Sequence, residues 1–99
     1  MEWEKSESSF IYNGKPVVRK KAVSSNPIGW YKVYESVGGN PIVQTSFVDH
    51  SDLNEGAPGY DNGMSEWFGQ PKLRCSSFER GLEICESHWQ QVKDKVNKY

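Results

Sequence analysis

Residues 10–23 have the sequence FIYNGKPVVRKKAV, in which Asn13-Gly14 separates two segments rich in aromatic and β-branched residues. Asn-Gly favours positive φ at both central positions of a two-residue turn, which is the strongest short signal for a β-hairpin. Pro16 cannot donate a hydrogen bond to a neighbouring strand, so we expect it at the start of a strand or on a sheet edge. The stretch therefore predicts two antiparallel strands, at 9–13 and 16–23.

A second hairpin is predicted after the turn cluster SSNPIG at 24–29. The β-prone segments 30–37 and 42–49 flank a turn that contains Gly38-Gly39. In segment 30–37, apolar and charged side chains are mixed on both faces, so the sequence does not show which face is solvated. A short extended segment, KLRC at 72–75, is a candidate edge strand. Together these segments predict an antiparallel meander of four or five strands.

The C-terminal segment has apolar side chains at alternating spacings of three and four residues, which is typical of one face of an α-helix. Ser76 followed by Glu79 predicts a capping box at its start. Gly81 costs about 1 kcal/mol relative to Ala inside a helix, so we expect a close approach to another element there. We expect this helix to pack on the sheet, with a coiled-coil dimer as the alternative. The apolar positions are Phe78, Leu82, Cys85, Trp89, Val92, Val96 and Tyr99.

The predicted fold class is α+β: a four- to five-stranded antiparallel β-meander with one C-terminal amphipathic helix packed on the sheet. An SH3-like partly open barrel with an appended helix is the alternative. The 99 residues fit one domain. We place that domain at 9–99, after a flexible N-terminus at 1–8. It includes a long acidic and aromatic loop at 50–71, and loops of such length are usually functional or disordered.

Membrane and export signals are not evident in the sequence. The chain contains no run of 18 apolar residues, and its polar, acidic start lacks the pattern of a signal peptide. We therefore expect a cytoplasmic protein in which Cys75 and Cys85 stay reduced. A disulfide between them is excluded by the predicted helix, because ten helical residues span about 15 Å.

Charges are sorted along the chain, although the net charge is only -1. Residues 8–34 contain five cations and no acid, whereas residues 35–71 contain six acids and no Lys or Arg. A domain with one basic and one acidic surface can orient a charged partner and speed its association. The sorting therefore favours a binding function.

Catalytic and metal-binding patterns do not match the chain. Cys75, Cys85, His50 and His88 lack the spacing of a zinc site, and the loop acids do not fit the calcium-binding EF loop. No nucleophile elbow and no phosphate-binding glycine loop is present. We expect no enzymatic activity, no metal and no cofactor.

A protein partner is the predicted ligand, because acids alternate with large apolar side chains in the 50–71 loop as they do at protein interfaces. We expect a non-catalytic protein–protein interaction module, either a monomer or a homodimer. Small chains without motifs are common among phage and mobile-element proteins that inhibit host defence enzymes, which makes an anti-defence inhibitor the specific expectation. The predicted partner-binding residues are Asp52, Glu55, Tyr60, Asp61, Met64, Trp67 and Phe68.

Nucleic-acid binding is the alternative, because cations and aromatic residues alternate in VVRKKAV and GWYKVY. Cations neutralise phosphates, and aromatic rings on a sheet stack with bases. The isoelectric point of about 6.1 opposes this alternative. The candidate contacts are Arg19, Lys20, Lys21, Trp30, Lys32 and Tyr34.

Overall fold

A computed structural model describes residues 1–47, 50–54, 56–59 and 73–98. It confirms the α+β class: five antiparallel strands form one open sheet in chain order, and the C-terminal helix packs on the third and fourth strands. The sheet is open, so the alternative of a partly closed barrel is not needed. The elements are β1 (Glu4–Tyr12), β2 (Lys15–Asn26), β3 (Gly29–Tyr34), β4 (Ile42–Phe47), α1 (Ser51–Asn54), β5 (Leu73–Arg74) and α2 (Phe78–Val96).

The first hairpin forms at the predicted turn. Asn13 and Gly14 both have positive φ, 50° and 76°, and Tyr12 lies opposite Lys15. The expected start of the first strand at residue 9 is wrong, because β1 begins at Glu4. Residues 4–8 are polar and exposed, so they show no apolar alternation, yet they pair in register with β2.

The sheet has two unequal faces. Tyr31 and Val33 in β3 are fully buried against α2, whereas Trp30, Lys32 and Tyr34 alternate with them and lie on the opposite side. We call the side away from α2 the open face where it spans β1–β3; over β4 the same side is covered, since Ile42 and Gln44 are buried there. The core between sheet and helix is formed by Ala22, Tyr31, Val33, Val43, Phe47, Leu53, Cys75, Phe78, Cys85 and Val96.

Gly81 lies where α2 crosses closest to the sheet, as expected. A Cβ atom at this position would stand 2.6 Å from Val33 Cγ1 and 3.2 Å from Val43 Cγ2. It would also stand 3.1 Å from Cys75 Sγ. Absence of a side chain therefore sets the distance between helix and sheet.

The helix start differs from the prediction by one residue. Ser77, not Ser76, is the N-cap: its backbone is extended and its side chain accepts a 3.0 Å hydrogen bond from Arg80 N. Position N3 is therefore Arg80 instead of Glu79, so the reciprocal half of a capping box is missing. Arg80 instead makes a 3.1 Å ion pair with Glu83.

The first part of the predicted 50–71 loop is folded into the domain. Residues 51–54 form α1, and Leu53 is 1% exposed within the core. Asn54 is also buried, and its side-chain amide makes two 2.8 Å hydrogen bonds with the backbone of Phe47. Leu53 therefore belongs to the core, whereas Asp52 beside it remains exposed.

We predict that Gly81→Ala destabilises the protein by up to about 2 kcal/mol. Ala is the better helix former by about 1 kcal/mol, but overpacking against the sheet typically costs about 1–3 kcal/mol. Chemical unfolding measures the difference, with Ser87→Ala as the control at an exposed position of α2. A stabilised Gly81→Ala variant would contradict the tight crossing.

Candidate binding surfaces

The titratable groups with clearly shifted pKa values lie in the core, where they serve packing. Tyr31 and His88 meet there, with the tyrosine hydroxyl 2.5 Å from His88 Nδ1. Their rings also pack edge to face, with centroids 5.8 Å apart, and Phe47 contacts both rings. His88 is therefore engaged by Tyr31 and Phe47 in the core.

Burial determines the protonation of this pair. Burial lowers the pKa of His88, and a hydrogen bond with the Leu53 backbone partly opposes the shift. Because that bond favours the protonated ring, the imidazole donates to the Leu53 carbonyl. His88 Nδ1 then accepts from the Tyr31 hydroxyl, whose own pKa is raised by burial. A neutral imidazole thus joins α2 to β3 and to α1.

We predict that the free energy of unfolding falls as the pH drops below about 6.5, in part because of His88. The unfolded imidazole then binds a proton that the buried one does not, so each further pH unit removes up to about 1.4 kcal/mol. The lowered folded pKa sets this sign, since stability is retained at high pH and lost toward low pH. In His88→Gln, which does not titrate, the stability gap to wild type should narrow from about pH 8 to about pH 5. A gap that stays constant in urea titrations would contradict the prediction.

The two cysteines are buried and unbonded to each other. Burial raises the pKa of Cys85 to about 12, and it also raises the pKa of Cys75. Cys75 Sγ lies 3.2 Å from the Ser77 carbonyl oxygen, which the thiol can donate to. Raised thiol pKa values favour the protonated form, which is a poor nucleophile.

The predicted partner-binding set is mostly outside the described residues. Asp52 is the one member that the described ranges include, and it lies exposed on α1. Those outside the described residues are Glu55, Tyr60, Asp61, Met64, Trp67 and Phe68. The surface proposed from sequence for protein binding thus stays a prediction.

The most prominent described feature is a projecting hairpin. Residues 8–19, which we call the arm, continue the β1–β2 ladder beyond the end of β3. Five further residues of strand extend it by about 16 Å. Apolar side chains on the arm are exposed: Ile11 by 69%, Val18 by 57% and Tyr12 by 48%. Because isolated two-stranded hairpins are marginally stable in water, such an arm is suited to being covered by a partner.

Glu35, which directly follows β3, makes the last contacts with β2 before the arm begins. Glu35 N–H donates to the Lys20 carbonyl at 2.9 Å, and the Glu35 side chain accepts from Lys20 N–H at 2.8 Å. Both backbone groups of Lys20 therefore point toward β3. Backbone groups of successive residues in a strand point to opposite sides. The N–H and C=O groups of Arg19 therefore point toward β1, and those of its partner Ser8 point toward β2.

The same alternation shows that one edge of the sheet is open. Glu7, Ser9 and Ile11 of β1 direct their backbone N–H and C=O groups away from β2. Among the described residues, no hydrogen bond to these groups is present beyond those of the ladder. The outer edge of β1 therefore presents a row of backbone donors and acceptors.

The opposite edge of the sheet is closed. β5 pairs with Ile42 and Val43 of β4, as the sequence predicted for KLRC. Farther along β4, the Asn54 amide occupies the outward backbone groups of Phe47. Gly59 packs against the backbone between them, where a Cβ atom would stand 3.0 Å from Gln44 Cα.

The candidate nucleic-acid residues fall into two groups. Lys20 lies on the helix side of the sheet, opposite Glu7 of β1. The others share the open face: Arg19, Lys21, Trp30, Lys32 and Tyr34. Sequence reasoning did not identify Phe10, which joins this group because Arg19 stacks over its ring at 5.5 Å. Its place opposite Val17 was readable only from the register.

A larger cleft lies between the root of the arm and the first turn of α2, but its charges are mixed. Around Leu82 the lining includes three cations, Lys5, Lys20 and Lys21, and two acids, Glu7 and Glu79. The acids offset most of the positive charge, so this cleft is only weakly charged.

Comparison with known proteins gave no significant match to a family model, a curated sequence or a solved structure. No described helix is long and apolar enough to cross a membrane. In the described ranges, no three or more His, Cys, Asp or Glu side chains come together as a metal site would require.

We predict alternating amide exchange along β1. The N–H groups of Glu7, Ser9 and Ile11 should exchange with solvent at least roughly ten-fold faster than those of Ser8 and Phe10, which bond to β2. Residue-resolved hydrogen exchange by NMR on dilute protein measures this. Uniform protection along β1 would show that its outer edge is already occupied.

Proposed function

We propose that this protein is a non-catalytic protein–protein interaction module whose partner adds an extended strand to the open edge of β1. The observation that supports the proposal most is the difference between the two edges of the sheet. β4 is closed by β5, by Asn54 and by the contact with Gly59, whereas β1 lacks any such device among the described residues.

Strand addition fits the chemistry of this edge. An unpaired β-strand is a template for an extended segment, which gains main-chain hydrogen bonds from the edge and specificity from side-chain contacts. Lys5 and Glu7 are the charged residues that limit unselective pairing. Ile11 and Val18 lie diagonally on one side of the arm and offer an exposed apolar contact beside the edge.

Charge favours an acidic segment of another protein as the occupant. Residues 8–21 contain four cations, Lys15, Arg19, Lys20 and Lys21, and no acid. Two copies of the chain would bring two basic arms side by side, so like charges oppose self-pairing. An acidic partner instead gains a faster, salt-sensitive association.

The absence of catalysis is part of the proposal. The perturbed groups His88, Tyr31 and Cys85 are occupied in the core, which supports a binding function over an enzymatic one. The proposal places the module in the cytoplasm, where free thiols stay reduced. Inhibition of a host defence enzyme by a phage protein is one form of this function; it rests on the frequency of such proteins among small chains and on none of the contacts above.

We predict that Ser9→Pro abolishes partner binding while Ser9→Ala retains it. Proline removes the outward N–H of Ser9 and places its ring in the path of an added strand, but it breaks no bond to β2. Alanine removes the same hydroxyl and keeps the N–H group. The measurement is retention of proteins from a lysate of the cells that make the chain, on immobilised wild type and both variants, with circular dichroism as the check on folding.

Two results together would support the proposal: a protein lost only from Ser9→Pro, and slow exchange of Glu7, Ser9 and Ile11 amides in its purified complex. Equal retention by Ser9→Pro, or unchanged exchange in the complex, would refute strand addition. Sedimentation of the protein alone tests whether a second copy of the chain occupies the edge of β1. A wild-type dimer that Ser9→Pro disperses would show that a second copy, and not another protein, covers the edge.

A further inference from the structure

We infer that the open face of β1–β3 is a binding site for single-stranded nucleic acid, separate from the β1 edge. The site is a shallow cleft of about 410 Å³ lined by cationic, hydroxyl and aromatic side chains. It lies on the side of the sheet away from α2. Its lining residues are Ser6, Ser8, Arg19, Lys21, Lys32 and Tyr34.

The cations of the cleft are arranged to follow a phosphate chain. Arg19 and Lys21 are two residues apart on β2, so they share a face and lie about 7 Å apart along the strand. Lys21 is directly opposite Tyr34 of β3, and Lys32 is the next residue of β3 on this face. Ser6 and Ser8 on β1 add hydroxyl donors beside the first two cations. Cations so spaced neutralise successive phosphates, which is the main source of affinity for nucleic acid.

Aromatic rings lie between the cations and favour single strands. Lys32 Nζ is 5.2 Å from the ring centroid of Tyr34 and 5.8 Å from that of Trp30. Arg19 stacks over Phe10 in the same way. Unpaired bases stack on such rings, whereas bases inside a duplex are not accessible to them.

The low isoelectric point does not oppose the site, because charge is segregated by the fold. Over β1–β3, the open face has Lys15, Arg19, Lys21 and Lys32, and Glu4 is the acid that shares it. Acids of the first half of α2 lie on the other side of the sheet, and they are Glu79, Glu83 and Glu86. The described residues of β1–β3 therefore give this face an excess of positive charge, although the net charge of the chain is -1.

We predict that the protein binds labelled oligo(dT) or oligo(rU) of about 10 nucleotides at low salt. Arg19→Ala/Lys21→Ala should weaken binding at least roughly ten-fold and reduce the salt slope by about 1.4, because two phosphate contacts are lost. Tyr34→Ala should also weaken binding roughly ten-fold, and Tyr34→Phe should retain it, since the ring stacks with the base. Fluorescence anisotropy over a salt series measures all three.

Lys95→Ala/Lys98→Ala is the matched control. This double substitution removes the same two positive charges, but from exposed residues at the end of α2. These residues lie on the opposite side of the sheet from the cleft. We expect it to leave affinity within about two-fold at the same ionic strength. Ser9→Pro should likewise bind the oligonucleotide as wild type does, so failure of this site and failure of the β1 edge are distinguishable.

Three results would overturn the inference. Wild type that does not bind at low salt excludes a nucleic-acid site, because phosphate attraction is then strongest. An equal loss in Lys95→Ala/Lys98→Ala would show attraction to total charge without a defined cleft. Equal affinity for duplex DNA or for inorganic polyphosphate would show that the face binds phosphate without reading unpaired bases.

Discussion

The hydrogen bond between Tyr31 and His88 is the interaction on which the rest of the core depends. It joins the fully buried centre of β3 to the middle of α2, and the second contact of the imidazole reaches Leu53 in α1. Loss of either partner leaves a buried polar atom unpaired, which costs more than the bond itself contributes. Three elements far apart in sequence thus share one polar contact, and Gly81 lets the helix come close enough to make it.

Around this core the sheet is asymmetric. At the β4 side, the side chain of Asn54 takes the place of a strand at Phe47 and bonds both of its outward backbone groups. At the β1 side, the hairpin continues past the core, and the molecule measures 48 Å along its longest axis and 20 Å along its shortest. The packed core is therefore separated in space from the exposed arm.

The sequence predicted those elements whose signals are local. Asn13-Gly14 located the hairpin, and the three- and four-residue spacing located α2. Residues 4–8 were missed as strand because all five are polar and exposed, so they carry no alternating pattern. α1 was missed because it spans four residues and is held by tertiary contacts with Phe47.

The candidate surfaces needed the register as well. Alternation grouped Trp30, Lys32 and Tyr34, but only the packing of α2 on Tyr31 showed that they lie on the open face. Lys20 does not belong to the open-face residues, because successive side chains of a strand point to opposite sides of the sheet. Phe10 and Arg19 are neighbours because the register of the first hairpin places Phe10 opposite Val17, diagonally across from Arg19.

The order of the strands has a kinetic consequence. Each of the first four strands pairs with the next one along the chain, and the first two turns contain only two residues each. Such contacts close short loops, and chains dominated by short-range contacts fold faster than those that must first join distant segments. The hairpins can therefore form early, while docking of α2 joins residue 88 to residue 31 and Glu86 to Trp3, over separations of 57 and 83 residues. We expect this docking to be the slow step that completes folding.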